Sequence, residues 1–313
     1  MTESPAKPAR ARFALSPASR TILAAWTIIL LTSTLPRIIL QEIFGQTVSV
    51  DQQTVMSLGV IFIALLATLI WQPLRGLRPL LALLLVLVVS QWLIFTRIDR
   101  LPFFQTRLQN PSFNVYMLAE QLLKLIVTLL VIGTLLLMKK KPRDFYLVRG
   151  DTAAPVEPVP WLGVRQGERW NKFGLLLALF ISLGTLAFLV IAGRPSLDIA
   201  IRVLPFLPAV LLAAALNAFN EEVTYKASFL SVLESPVGPS QALYMVAAYF
   251  GIGHYYGVPY GVVGVLLASF LGWILAKSMQ ETRGMFWAWF IHFWQDVWIF
   301  SFMAIGAIIP GGG

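Results

Sequence analysis

The feature that most constrains this chain is the recurrence of apolar stretches of about 20 residues, separated by short charged connections. Each stretch can cross a hydrocarbon core of about 30 Å as an α-helix. Inside lipid every backbone N–H and C=O must be satisfied within the segment, which favours helices. A transmembrane barrel would show alternating segments of about ten residues instead, and the run Leu80 to Val89 does not alternate. Composition agrees: 12% of the 313 residues are charged and the mean hydropathy is +0.75, where a soluble domain carries about 25% charge. The expected fold class is all-α, a polytopic transmembrane helical bundle of about eight to nine spans.

Nine candidate spans can be marked. They run from Thr21 to Leu40 (interrupted by Pro36 and Arg37), Val55 to Trp71, Leu80 to Phe95, Tyr116 to Met138, Phe173 to Ala192, Val203 to Leu233, Ala242 to Tyr256, Val262 to Ala276 and Met285 to Ile308. Residues 1–18 read as a disordered basic tail, 19–142 as N-terminal transmembrane helices, 143–170 as a basic cytoplasmic loop, and 171–313 as C-terminal transmembrane helices carrying the chemistry. No small-residue cleavage site ends the first apolar segment, which reads as a retained helix and not a signal peptide.

The net charge of +9 lies in connections beside apolar spans, so the positive-inside rule accounts for it and no nucleic acid is implied. Lys7, Arg10, Arg12 and Arg20 then put the N-terminus in the cytoplasm, together with Arg75 and Arg78, the Lys139–Lys141 cluster, Lys277 and Arg283. The connection holding Arg97, Arg100 and Arg107 falls on the wrong side of this scheme. The expected location is the cell (cytoplasmic) membrane. Cysteine is absent, which removes disulfides, thiolate nucleophiles and cysteine-bound zinc.

Ionisable groups inside a span cost roughly 2.5–3.5 kcal/mol each on insertion scales, so each needs an account. Glu120 and Lys124 are spaced i,i+4 and read as a neutralising pair near the membrane surface, with substrate gating as the alternative. Glu221 and Glu222 are adjacent, about 100° apart around their helix. Glu222 and Lys226 are i,i+4 partners, which leaves Glu221 without a local one. The chain's two histidines, His254 and His292, each fall in an apolar span, and Asp296 is i,i+4 from His292. Three helices can thus converge one Glu, two His and one Asp within the bundle.

Peptide hydrolysis needs an activated water and donors for a developing oxyanion. A carboxylate can take the water's proton, and imidazoles can orient the water and serve the oxyanion. The same groups could hold zinc, although no HExxH helix is present. A proton-coupled transporter is a further alternative, weakened by the lack of internal repeats.

The residues resemble the CPBP family of intramembrane glutamic proteases, which includes CAAX prenyl endopeptidases and bacteriocin-processing or immunity proteins. Its pattern is EExxxR, FxxxH, then HxxxN or HxxxD. Here the counterparts are Glu221–Lys226, Phe250–His254 and His292–Asp296, within about 209–300. The resemblance implies an intramembrane endopeptidase acting on a membrane-associated protein or peptide, with the lipid bilayer as its environment and no cofactor. It implies that Glu221 activates water with help from His254, that Glu222 is structural and paired with Lys226, and that His292 and Asp296 stabilise the oxyanion, Asp296 by orienting and charging His292. Phe250 enters as support. Lys226 stands where the family usually has Arg; lysine keeps the charge but loses the bidentate fork. A non-catalytic membrane partner or immunity protein therefore remains an alternative.

Overall fold

The structure is a computed structural model describing residues 16–98, 100–101 and 112–308. Most of the N-terminal tail, Arg107 and the final residues from Ile309 lie outside the described residues. The described chain is almost wholly helical, with two isolated β-bridges, Pro155–Arg169 and Val159–Val164, in the long loop. Seven helices are long and apolar enough to cross a membrane, and eight if one bent pair counts as a span.

That bent pair is α1 (Pro17–Thr32) and α2 (Leu35–Ile38), the latter running into a π-helical turn, Ile39–Ile43. The two axes differ by 57°. The Ser33 hydroxyl donates to the Leu30 carbonyl at 2.7 Å and accepts from the Leu35 N–H at 3.1 Å, and Pro36 enters at the start of the second piece. The sequence expectation of an interruption at Pro36 and Arg37 corresponds to this break. Helix α3 (Val50–Ile70) opens on a capping box between Ser49 and Gln52, which satisfies two orphan N–H groups reciprocally. Then come α4 (Arg78–Leu93), extended by a π turn to Ile98, and α5 (Phe113–Leu137).

After the long loop, α6 (Trp170–Gly193) lies at the periphery: 6% of its apolar window is buried, against 50% for α11 (Val262–Thr282). Its outward Leu175, Leu179 and Phe180 face where lipid tails would be. The short α7 (Leu197–Arg202) leads into α8 (Leu207–Glu221). A π-helical turn, Glu222–Ala227, joins α8 to α9 (Ser228–Val237). Helix α10 (Pro239–Ile252) follows, then α11, and α12 (Phe286–Ile308) ends the described chain.

The main departure from the sequence reading concerns α10. The expected span Ala242 to Tyr256 is a 14-residue helix, about 21 Å long and too short to cross the membrane alone. It ends at Ile252, so His254 sits in the following turn and not within a helix. Helix α10 packs closely on α11, and Gly251 permits this: a Cβ there would come within 2.7 Å of the Val265 carbonyl oxygen.

The long loop folds onto one end of the bundle. Trp170 Nε1 donates to Glu281 at 2.6 Å, Trp287 Nε1 to the Thr152 carbonyl at 3.0 Å, and Met285 N–H to the Val148 carbonyl at 3.0 Å. Glu234 accepts from the Tyr146 hydroxyl and, at 2.9 Å, from Gln280 Nε2. Burial and the Glu234 carboxylate push the Tyr146 phenol well above its ordinary value, so it stays neutral and donating.

Candidate functional site

The site is built around the π turn, where one extra residue per turn changes which side chains face inward. Such turns recur at functional positions. Glu222 and Lys226 are both completely buried, with Lys226 Nζ to Glu222 Oε1 at 2.8 Å. A buried charge pair survives only with good geometry and further partners. Two are supplied. His292 Nδ1, on α12, meets the same Glu222 oxygen at 2.7 Å, and Lys226 Nζ lies 3.4 Å from the centre of the Phe250 ring. A cation over an aromatic face gains further attraction when desolvated. The second oxygen, Glu222 Oε2, has no hydrogen-bond partner among the described residues.

A carboxylate paired with lysine only accepts, so His292 Nδ1 carries its hydrogen and Nε2 turns the other way. Nε2 lies 3.8 Å from Glu221 Oε2 and 3.6 Å from Asp296 Oδ2. The imidazole is thus held at hydrogen-bond distance by Glu222, while Asp296 stands beside Nε2 at ion-pair distance. Asp296 accepts instead from Asn217 Nδ2 at 2.9 Å.

Glu221 differs from its neighbour. Its side chain is 17% exposed, and its charged neighbours stand off: His292 at 3.8 Å and Lys124 Nζ at 3.9 Å. Both lengths exceed a hydrogen bond. Glu221 borders a cavity of about 470 Å³ that His254 and Lys124 also line. His254 Nδ1 lies 2.7 Å from the Phe250 carbonyl; a carbonyl only accepts, so Nδ1–H donates and Nε2 is left as an acceptor. The His254 and Phe250 rings pack at 4.4 Å between centres. Glu221, Glu222, Lys226, Phe250, His254, His292 and Asp296 therefore gather in one region.

The sequence reading gave Lys124 no partner beyond Glu120, and gave none to Asn217 or Thr128. Lys124 pairs with Glu120 at 3.4 Å, yet it is not a self-contained surface pair: its ammonium donates to Asn217 Oδ1 at 2.9 Å and faces Glu221. Asn217 thereby links Lys124 to Asp296. Thr128, on α5, donates to Asn220 at 3.0 Å and lies 3.1 Å from the Thr224 hydroxyl, tying that helix to the π turn. Lys124 and Thr128 share an i,i+4 face of α5 with Glu120 and Gln121 nearby, a polar stripe that was the available signal.

No curated protein and no solved structure matches the chain. One family model does, over residues 203–298, described as Type II CAAX prenyl endopeptidase Rce1-like. The matched segment runs from just before α8 into α12 and holds Glu221, Glu222, Lys226, Phe250, His254, His292 and Asp296. The part of the molecule that gathers the paired carboxylates and both imidazoles is therefore the part that matches the CPBP/CAAX-protease-like family of membrane endopeptidases.

Proposed function

We propose that the protein is an intramembrane endopeptidase in which Glu221 activates a water molecule to cleave a peptide bond of a membrane-associated protein or peptide. The observation that carries this reading is the contrast within the Glu pair: Glu222 is locked by Lys226 and His292, while Glu221 faces a cavity beside His254 with charged neighbours beyond hydrogen-bond length.

In the proposed reaction, water lies between Glu221 and the acceptor Nε2 of His254. Glu221 takes one proton as the oxygen attacks the scissile carbonyl. The carbonyl oxygen becomes an oxyanion, which a His292 ring carrying hydrogen on both nitrogens, beside the Glu222, Glu221 and Asp296 carboxylates, stabilises by donating from Nε2. Collapse of the tetrahedral intermediate breaks the C–N bond, and the proton on Glu221 passes to the leaving amine. Glu222 fixes the His292 ring from Nδ1, Asp296 supplies charge beside Nε2, and Lys226 neutralises Glu222. Lys226 in place of the family's usual Arg still meets Glu222 at 2.8 Å, which supports a working assembly.

Among the described residues, no group of three or more His, Asp or Glu side chains is arranged to hold a metal ion. This donor geometry supports a route through Glu221 and the imidazoles; loss of activity after strong-chelator treatment, restored by zinc, would favour the zinc-protease alternative. The deciding comparison is membrane proteomics of a wild-type and a Glu221→Gln strain. A protein accumulating uncut in the variant is expected, with cleavage down by about 10²–10⁴-fold, the usual contribution of a general base. Undiminished cleavage by a folded Glu221→Gln protein would end the reading.

A further inference from the structure

The two ends of the bundle differ in charge. One end collects the connection holding Arg75 and Arg78, the long loop with Lys139–Lys141, Arg143, Arg149, Arg165 and Arg169, and the turn at Arg283. The other end collects the bend after α1, the start of α3, the end of α4 and the turn after α10. Two of its described cations are paired with carboxylates: Arg97 with Asp51 at 3.3 Å and Arg202 with Asp198 at 2.9 Å. By the positive-inside rule the first end is cytoplasmic.

The cavity at Glu221 is directed to the second end. Its walls include Ser33 beyond α1, Val50 and Gln53 in the first turns of α3, Trp92 near the end of α4, and Gly253 after α10. Glu221 stands near the middle of the continuous α8–π–α9 rod, Leu207–Val237. Val50 is 47% exposed and Gly253 is exposed as well, so the cavity reaches the surface there. No residue of the long loop lines it. A second cavity of about 350 Å³ lies at the basic end, between Gly76, Met138, Lys140 and Pro236, and includes none of the site groups.

We infer that water and substrate reach Glu221 from the face opposite the basic loop, the extracytoplasmic face, so that the substrate is a peptide segment presented at the outer leaflet. The entry path stands on cavity and charge alone; its use by a substrate rests on the proteolytic reading above. The mouth suits such a guest. Gln53 offers hydrogen bonds to an extended backbone, and Trp92 and Tyr225 offer surface for apolar side chains.

The chain has no cysteine, so an introduced thiol reports without background. Full-length Gln53→Cys, Val50→Cys and Arg143→Cys proteins are treated with a charged, membrane-impermeant maleimide, in intact cells and in inverted membrane vesicles. The two mouth thiols are expected to react in intact cells, and the Arg143→Cys thiol only in inverted vesicles. Mouth thiols reacting from the same side as Arg143→Cys, or from neither side, overturn the entry path. The second arm maps cut sites in proteins that accumulate in the Glu221→Gln strain, which are expected on extracytoplasmic flanks. Cut sites on cytoplasmic flanks would keep the protease and overturn this inference. Identical peptide content in the two strains would end the protease reading and leave the labelling result standing.

Discussion

Two clusters of charge hold this bundle together, and they are built on different terms. At the basic end, Glu281 and Glu234 each collect several donors. Glu281 accepts from Trp170, from Lys277 and from the Glu157 backbone N–H, and Glu234 accepts from Tyr146 and Gln280. Near the middle of the bundle, Glu222 meets Lys226 and His292 through one oxygen, and the preceding residue, Glu221, keeps its carboxylate at the edge of a cavity. A carboxylate whose lone pairs are all engaged can staple helices but cannot take a proton from water. One whose nearest ion-pair partners stand 3.8 and 3.9 Å away, beyond hydrogen-bond length, keeps its lone pairs free toward the cavity. The difference between a staple and the proposed base therefore lies in what surrounds each carboxylate, since the residue type is the same.

The comparison can be broken most sharply at Lys226. Lys226→Met leaves Glu222 buried beside His292 without its cation, an arrangement that costs about 3–5 kcal/mol. Thermal unfolding in detergent should register that loss, whereas Lys226→Arg should retain most of the stability; an unchanged midpoint for Lys226→Met would mean the pair is not what holds the π turn. Lys124→Met tests the looser partner. Its ammonium is partly exposed, so stability should change by less than about 1 kcal/mol, while cleavage should fall on the order of tenfold, equivalent to about 1.4 kcal/mol of transition-state stabilisation. Equal losses of stability and of rate per folded molecule would make Lys124 a staple as well.

At the basic end the expectation reverses. Tyr146→Phe removes a buried donor from Glu234 and should lower stability by about 1–3 kcal/mol, with cleavage per folded molecule unchanged. Because the folded-state phenol is raised above its ordinary value of about 10, its contribution is present below about pH 10 and lost as pH rises beyond it, while the unfolded chain ionises. Wild type should show this alkaline decline more steeply than Tyr146→Phe. Smallest of all is Glu157→Ala: the carboxylate is 83% exposed at 3.6 Å from Lys277, and its removal should shift stability by less than about 0.5 kcal/mol.

Much of this architecture is legible along the chain because its signals are local. Apolar runs mark the spans, Pro36 marks the bend after α1, and the spacings Glu222–Lys226 and His292–Asp296 put each pair on one helical face. What was hidden depends on contacts distant in sequence. The i,i+4 neighbour Glu120 offered Lys124 a complete local explanation, and nothing within the span reveals that Asn217, 93 residues away, also accepts a hydrogen bond from it. The same holds for Glu222: its bond to His292 spans 70 positions. The end of α10 at Ile252, before His254, and its close packing on α11 at Gly251 are features that hydropathy does not record.

The π turn Glu222–Ala227 makes this stretch tolerant of one deletion in a way that ordinary helix is not. Such a turn holds about one residue more than an α turn. Deleting one residue there, Val223 for instance, would return the turn to regular winding and leave the enclosed Phe229 and Leu230 facing their present neighbours, whereas the same deletion in ordinary helix would swing everything downstream by about 100°. What the shortened turn would change is the spacing of Glu222 and Lys226, from i,i+4 to i,i+3.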